Sequence, residues 1–271
     1  MFWIAGIPLL LLPIIWKFLP ESIIFMVKAD KQEQARHVLT RLAPEANVTA
    51  TTPLELSKAE VPESATVANL FKKGRATNTL LFWLAFFMCL LTMYALGSWM
   101  PKLMMAAGYS MGSSLLFLLA MNIGAVIGTV SGGMLADRFH LKPVIMVLGV
   151  VGAIVLSLLG FEPPQVALYL MIALAGAASI GSQILLYSYV AQYYPVAVRS
   201  TGIGWASAVG RSGAIIGPIL IGMLLGMDLP HQYNFIAVGI PLLVVAIAVT
   251  LISKQDQAEE VEVKTAAVAR N

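Results

Sequence analysis

The sequence predicts an all-α integral membrane protein with seven transmembrane helices. Hydrophobic residues make up 59% of the chain and charged residues 11%, against roughly 25% charged residues in a soluble domain. Apolar runs long enough to cross about 30 Å of hydrocarbon at about 1.5 Å per residue lie at residues 3–19, 79–99, 110–135, 143–161, 166–190, 200–226 and 234–252. These runs are too long for membrane β-strands and lack their alternation, so helices are expected.

Basic residues collect at one end of these predicted spans. Of the 17 lysines and arginines, all but Lys102 and Arg211 fall in segment 17–77, in the turns after the third and fifth spans, or in the tail. Since lysine and arginine accumulate on the cytoplasmic side, the long loop and the C-terminus are predicted to be cytoplasmic. The basic balance therefore reflects membrane topology, and no nucleic-acid partner is expected. A multi-pass location in a cell membrane, the bacterial inner membrane, is predicted.

The polar content divides the chain into four segments. Residues 1–19 are predicted to form a transmembrane helix, 20–77 a cytoplasmic linker loop, 78–253 a six-helix bundle and 254–271 a cytoplasmic tail. Within the loop, residues 28–44 predict a short amphipathic helix with Ala35, Val38, Leu39 and Leu42 on one face.

Polar residues are confined to the second, third, fifth and sixth spans, whereas the first, fourth and seventh are almost wholly apolar. Polar side chains are costly toward lipid and usually face a bundle interior or a wet cavity. The polar spans are therefore predicted to line a site that the apolar spans shield. The apolar spans thus recur at every third position along the chain. Such a period is typical of transporters built from three-helix repeats.

Arg211 lies inside the sixth span, twelve residues or roughly 18 Å beyond Arg199 at the span's start. Insertion of arginine near a helix centre costs about 2.5–3.5 kcal/mol, and no carboxylate of this chain falls at that depth. One interpretation is an anionic ligand gripped by the planar guanidinium. The other is a structural arginine bonded to helix carbonyls. Gly204 and Ser207 share its helical stripe and leave room for a ligand.

Four further residues are candidates for ligand contact. Gln183 and Tyr187 lie one turn apart in the fifth span, where they either hydrogen-bond a ligand or join helices. Asn122 in the third span has the same two interpretations, and Trp205 either stacks on an aromatic ligand or packs near a helix end. No metal cluster, cofactor motif or nucleophile with a base appears within the spans, so neither metal, cofactor nor enzymatic activity is expected.

Two glycine-containing segments complete the pattern. Gly124, Gly128 and Gly132 form consecutive small-xxx-small steps, which predict a close helix crossing. The segment GMLADRFHLKP, residues 133–143, resembles the cytoplasmic loop motif of the major facilitator superfamily. It keeps the motif residues Gly133, Leu135, Ala136, Asp137, Arg138 and Lys142, and it departs at His140 and Leu141.

Two other segments extend this resemblance. LPES at residues 19–22 is similar to the family's entry into its central loop, and residues 193–218 resemble the tenth to eleventh helices of its aromatic acid:proton symporter branch. The family has twelve helices, and the seven predicted here match the sixth to the twelfth. The resemblance therefore implies an N-terminally truncated member, with one leading helix and a complete six-helix C-terminal bundle.

The resemblance also implies a function. It predicts proton-coupled uptake of an organic anion, an aromatic carboxylate of the benzoate or hydroxybenzoate kind, with Arg211 binding the carboxylate and Gly133, Asp137 and Arg138 forming a gating motif. The expected partners are the solute, protons, the lipid bilayer and a missing N-terminal six-helix bundle. A sugar or other organic-ion porter, or a truncated membrane protein that does not transport, are the alternatives.

Overall fold

A computed structural model describes Met26, residues 31–42 and residues 66–253, apart from Lys73, Ala107, Tyr109, Glu162 and Asp228. The chain divides into two compact units, Met1–Glu63 and Ser64–Asn271. In the first unit, helix α1 spans Gln32–Leu42. Ala35 on this helix is buried and Val38 and Leu39 are half-buried, as its predicted amphipathic face requires. The predicted leading span 3–19 and the tail 254–271 lie outside the described residues.

The second unit contains six long helices. A 3-10 helix, Val67–Leu70, precedes them, and the six are α2 (Ala76–Ala106), α3 (Met111–Phe139), α4 (Leu141–Leu159), α5 (Gln165–Tyr193), α6 (Val196–Leu225) and α7 (His231–Leu251). Prolines immediately precede α5, α6 and α7, where the fixed φ of proline favours a helix start. All six are long and apolar enough to cross a membrane, which confirms the six spans predicted between residues 79 and 252.

The helices pack mainly as three neighbouring pairs. Helix α2 lies along α6, α3 along α5 and α4 along α7, while α4 also packs against α5 and α2 against α7. Helices α3 and α6 each have one main partner, so they keep long exposed faces. Only 22% of the apolar stretch of α6 and 33% of that of α3 is buried, against 56% for α5 and α7.

Two of these pairs make their closest contacts at glycines. A Cβ at Gly124 or Gly128 would overlap the main chain of Ala173 or the side chain of Ala177 on α5, which confirms the predicted close crossing of α3. The pair α2 and α6 uses the same device. A Cβ at Gly213 or Gly217 would overlap the carbonyl groups of α2. The small residues thus let both pairs approach to main-chain contact.

Hydrogen bonds join the ends of several helices at one end of the bundle. Asn78 Nδ2 donates to Tyr193 Oη at 2.7 Å and to the Ser253 carbonyl at 3.2 Å. Lys142 Nζ donates to the Ile252 carbonyl at 2.6 Å and to the Thr250 carbonyl at 3.0 Å, where the last carbonyls of α7 lack helix partners. The start of α2, the end of α5 and the start of α4 therefore meet the end of α7.

His140, between α3 and α4, is the one non-glycine residue with positive φ in the described part of the chain. Its backbone has φ 68° and ψ 157°, a region that is populated almost only by glycine and costs about 1–3 kcal/mol for other residues. The loop motif that residues 133–143 resemble has glycine at this position.

His140→Gly is therefore expected to raise the free energy of unfolding by about 1 kcal/mol or more, measured by thermal or denaturant unfolding. His140→Ala keeps the penalty, so an equal gain from alanine would contradict the strain.

Candidate functional site

Arg211 lies on an exposed face of α6, about three turns beyond Arg199 and so roughly 18 Å into the span. Its Nη1 donates to Tyr94 Oη on α2 at 3.4 Å. In the described part of the bundle, Asp137 is the single carboxylate residue, and it lies at the end of α3. The described bundle therefore supplies a phenol to this guanidinium and no counter-charge.

The contact between α5 and α6 shows which residues of these two helices lie at the same depth in the bundle. Tyr187 Oη and Ser207 Oγ lie 3.0 Å apart, and the Tyr187 ring packs edge-on against Phe86 at 4.9 Å between centroids. The two helices are antiparallel, so one turn before Tyr187 on α5 and one turn after Ser207 on α6 reach the same depth. Gln183 and Arg211 occupy those two positions.

Gln183 is buried with only 5% of its surface exposed. Neither its Nε2 nor its Oε1 has a hydrogen-bond partner, and the neighbouring Ser182 Oγ also has none. An unsatisfied buried amide costs about 1–3 kcal/mol per group. The sequence analysis considered an interhelical hydrogen bond for Gln183. Among the described residues this bond is not formed, and both ends of the amide lack a partner.

Asn122 and Trp205 make contacts away from Arg211. Asn122 Nδ2 donates to the Leu118 carbonyl of its own helix at 2.7 Å and is exposed on α3. Trp205 is 42% exposed and stacks on Trp83 of α2, with 5.9 Å between ring centroids and 24° between planes. Their ligand roles stay predictions. The sequence analysis did not select Tyr94, and it placed Ser207 on the helical stripe of Arg211 without assigning it a ligand contact.

The predicted gating motif lies at the end of α3. Gly133 is half-buried and has nothing within 4 Å of an added Cβ. Asp137 and Arg138 are both exposed, and the Arg138 guanidinium lies 5.4 Å from the centroid of the Phe139 ring. No ion pair to Asp137 occurs within the described ranges, so the described residues of this bundle do not hold the motif by a salt bridge.

A bundle of six membrane-length helices, with a mid-span arginine and a polar α2–α5–α6 face, defines the class of polytopic integral membrane protein. The sequence model of the Major Facilitator Superfamily matches residues 118–269. The chain belongs to this superfamily.

The curated relatives of the chain include three proteins that are named as transporters. The chain is 48% identical over 254 residues to the benzoate transport protein of Acinetobacter baylyi, a match that covers 93% of this chain and 54% of that protein. It is 37% identical to the gentisate transporter of Corynebacterium glutamicum, with coverages of 93% and 51%. It is 31% identical to the 4-hydroxybenzoate transporter PcaK of Pseudomonas aeruginosa, with coverages of 90% and 55%. The chain thus spans about half the length of these relatives.

Solved structures share the fold. The superfamily transporter FucP in its outward conformation matches with a TM-score of 0.63 at 15% identity, over 83% of this chain and 55% of FucP. The proton:xylose symporter XylE bound to 6-bromo-6-deoxy-D-glucose matches with a TM-score of 0.63 at 18% identity, over 92% of this chain and 55% of XylE. At such identities the likeness concerns the fold.

Proposed function

We propose that this chain forms the C-terminal part of a proton-coupled symporter that takes up an aromatic carboxylate, benzoate or a hydroxybenzoate, by alternating access. The observation that carries the proposal is Arg211, an exposed guanidinium roughly 18 Å into a span with Tyr94 as its hydrogen-bond partner. The named substrates of the relatives, benzoate, gentisate and 4-hydroxybenzoate, are all aromatic acids that such a group can bind.

In this proposal the carboxylate binds to the Arg211 fork, because two parallel N–H donors match two carboxylate oxygens. Tyr94 holds the guanidinium on the α2 side. Gln183 lies at the same depth on α5 with an unsatisfied amide, and it contacts the ligand after a side-chain rotation. Tyr187, Asn122 and Trp205 are the remaining proposed contacts.

The second bundle and the proton-coupling acid belong to the part of the relatives that this chain does not match. Alternating access needs two bundles that rock about a central site. In the described bundle no carboxylate lies at the level of Arg211, so we place the coupling acid in the other bundle. Gly133, Asp137 and Arg138 then act as the gate, with Asp137 engaging the opposite bundle.

We also propose the orientation of the chain. Lys72, Arg75, Arg138, Lys142 and Arg199 belong to one end of the described bundle, whereas Lys102 belongs to the other. This asymmetry favours a cytoplasmic position for the end where α2 begins, and with it a cytoplasmic loop and C-terminus. Transport of the unmodified solute, without an enzymatic step, is the activity proposed.

A competition assay tests the substrate class. Cells that express this chain together with the proposed second bundle are expected to accumulate labelled benzoate, and a protonophore is expected to abolish the accumulation because the proton gradient drives it. Unlabelled benzoate and 4-hydroxybenzoate should compete, whereas xylose and an organic cation should not. Uptake that sugars inhibit and benzoates do not would refute the proposal.

A further inference from the structure

Arg75, which immediately precedes α2, is a buried cation for which the described residues provide no ionic partner. Only 7% of the residue is exposed. Its Nη2 donates to the Asn69 carbonyl at 3.1 Å, and its Nε is enclosed without a hydrogen-bond partner. Guanidinium carries five N–H donors, and among the described residues the Asn69 carbonyl is the one acceptor that it reaches.

The neighbouring groups do not neutralise Arg75. Thr79 Oγ1 contacts Tyr194 Oη at 2.8 Å and the Leu70 carbonyl at 2.8 Å, so these groups are occupied with one another. Burial raises the pKa of the Tyr194 phenol, although the hydrogen bond from Thr79 and the charge of Arg75 oppose the rise. Tyr194 therefore stays neutral at physiological pH and is no counter-ion.

The charge around this corner of the bundle is positive. Lys72 is exposed three residues before Arg75, and the Nε of Arg199 donates to the Tyr194 carbonyl at 3.4 Å. Within the described second unit the carboxylate residue is Asp137, and it makes no ion pair with Arg75. The first N–H groups of α2 begin at Ala76 and add the positive end of a helix dipole. An isolated buried charge is costly unless it is paired, so an anion at this position would stabilise the folded bundle.

The position of Arg75 along the span indicates where that anion comes from. The apolar stretch of α2 begins at the next residue, Ala76, so the guanidinium lies at the level of the lipid headgroups. The aromatic rings of Phe71, Trp83 and Trp205 lie near the same end. Phe71 meets Trp83 edge-on at 5.5 Å, and Trp83 stacks on Trp205. Aromatic rings are enriched near the membrane–water interface, and of these three Phe71 lies before the apolar stretch of α2 begins.

We propose that Arg75, together with Lys72 and the start of α2, binds a phosphate group, supplied by the headgroup of an anionic phospholipid. The guanidinium fork matches phosphate oxygens bidentately, and basic pockets between helices at the cytoplasmic side are a known mode of headgroup binding. The site lies at the end of the bundle, roughly 28 Å along α2 from Tyr94, the hydrogen-bond partner of Arg211, and it does not depend on the proposed transport function.

The test uses the protein as expressed, purified in a neutral detergent and stripped of lipid. Phosphatidylglycerol is added in mixed micelles, diacylglycerol with the same acyl chains serves as the lipid without phosphate, and inorganic phosphate is added in a third arm. Phosphatidylglycerol is expected to raise Tm by about 5–10 °C at a hundredfold excess over its Kd, and diacylglycerol is expected to have no effect.

The variants separate this site from general surface charge. Arg75→Gln is expected to weaken the response to phosphatidylglycerol by about tenfold or more, while Lys72→Gln, which removes the same charge from an exposed neighbour, retains most of it. If Arg75→Gln does not fold, Arg75→Lys replaces it, because loss of the fork alone should still weaken binding. An Arg75-dependent response to inorganic phosphate at equal concentration would support the site and assign it to free phosphate.

Three results would overturn the proposal. The first is a wild-type protein that responds to neither phosphate source beyond the diacylglycerol control. The second is a response of Arg75→Gln, or of Arg75→Lys in its place, that equals the wild-type response. The third is a loss in Lys72→Gln as large as that in the Arg75 variants, which would indicate attraction to the basic surface and no defined site.

Discussion

Substitution of Arg211 by leucine is expected to reduce the uptake of benzoate by about 10- to 100-fold, because a hydrogen bond to a charged group contributes about 1.5–3 kcal/mol to binding. Arg211→Lys should recover only part of the activity, since an ammonium lacks the planar fork. The measurement is initial-rate uptake of labelled benzoate in cells that express the chain together with the proposed second bundle, normalised to the amount of protein in the membrane. Lys102→Leu, which removes an exposed charge at the other end of the bundle, is the control and should transport normally.

The same variant distinguishes a ligand-binding arginine from a structural one. Arg211 is exposed on α6, and placing arginine at mid-membrane costs about 2.5–3.5 kcal/mol. Arg211→Leu should therefore unfold at the same temperature as the wild type or higher, while its transport fails. A destabilised variant that still binds benzoate within about twofold of wild type would instead show that the guanidinium supports the helix bundle.

Substitution of Gly213 by alanine is expected to destabilise the bundle severely. A Cβ at this position would overlap the main-chain carbonyl of Phe87, and main chain cannot yield as a flexible side chain can. Overpacking of a tight interior typically costs about 1–3 kcal/mol. Because the overlap is with main chain, it is relieved only if α2 and α6 move apart. Thermal unfolding of the purified protein, together with its yield from membranes, measures the effect.

Gly204 on the same helix provides the matched control. An added Cβ there meets nothing within 4 Å, and alanine is favoured over glycine in a helix by about 0.5–1 kcal/mol. Gly204→Ala should therefore unfold at the wild-type temperature or slightly above it. Similar losses in both variants would show that helix α6 tolerates no substitution, and the close approach of α2 and α6 would not be the cause.

The spans were readable from the sequence because hydrocarbon thickness sets a minimum apolar length, and each of α2 to α7 carries that length without interruption. The crossing at Gly124 and Gly128 was readable because small residues four apart form a continuous stripe. The matching stripe of Gly210, Gly213 and Gly217 on α6 was less visible. Its spacing of three and then four is embedded among serines and alanines.

The candidate site was only partly predictable. The depth of Arg211 follows from counting residues along one helix, but its hydrogen bond to Tyr94 joins positions 117 apart, and no local pattern encodes such a pairing. Trp205 was considered as a stacking surface for a ligand, yet its stacking partner in the structure is Trp83. Gln183 was grouped with Tyr187 one turn away, but its burial depends on the packing of neighbouring helices, which sequence spacing alone cannot supply.

The glycine contacts between α3 and α5 restrict how this pair can move. Gly124 and Gly128 each receive the main chain or methyl group of an opposing alanine, and they are one turn, or about 6 Å, apart. A shift by a single residue would drive a neighbouring side chain into the space that a glycine now leaves open. The two helices therefore cannot slide past each other by less than a full helical turn without a steric overlap. We expect smaller conformational changes to move α3 and α5 together as one rigid body.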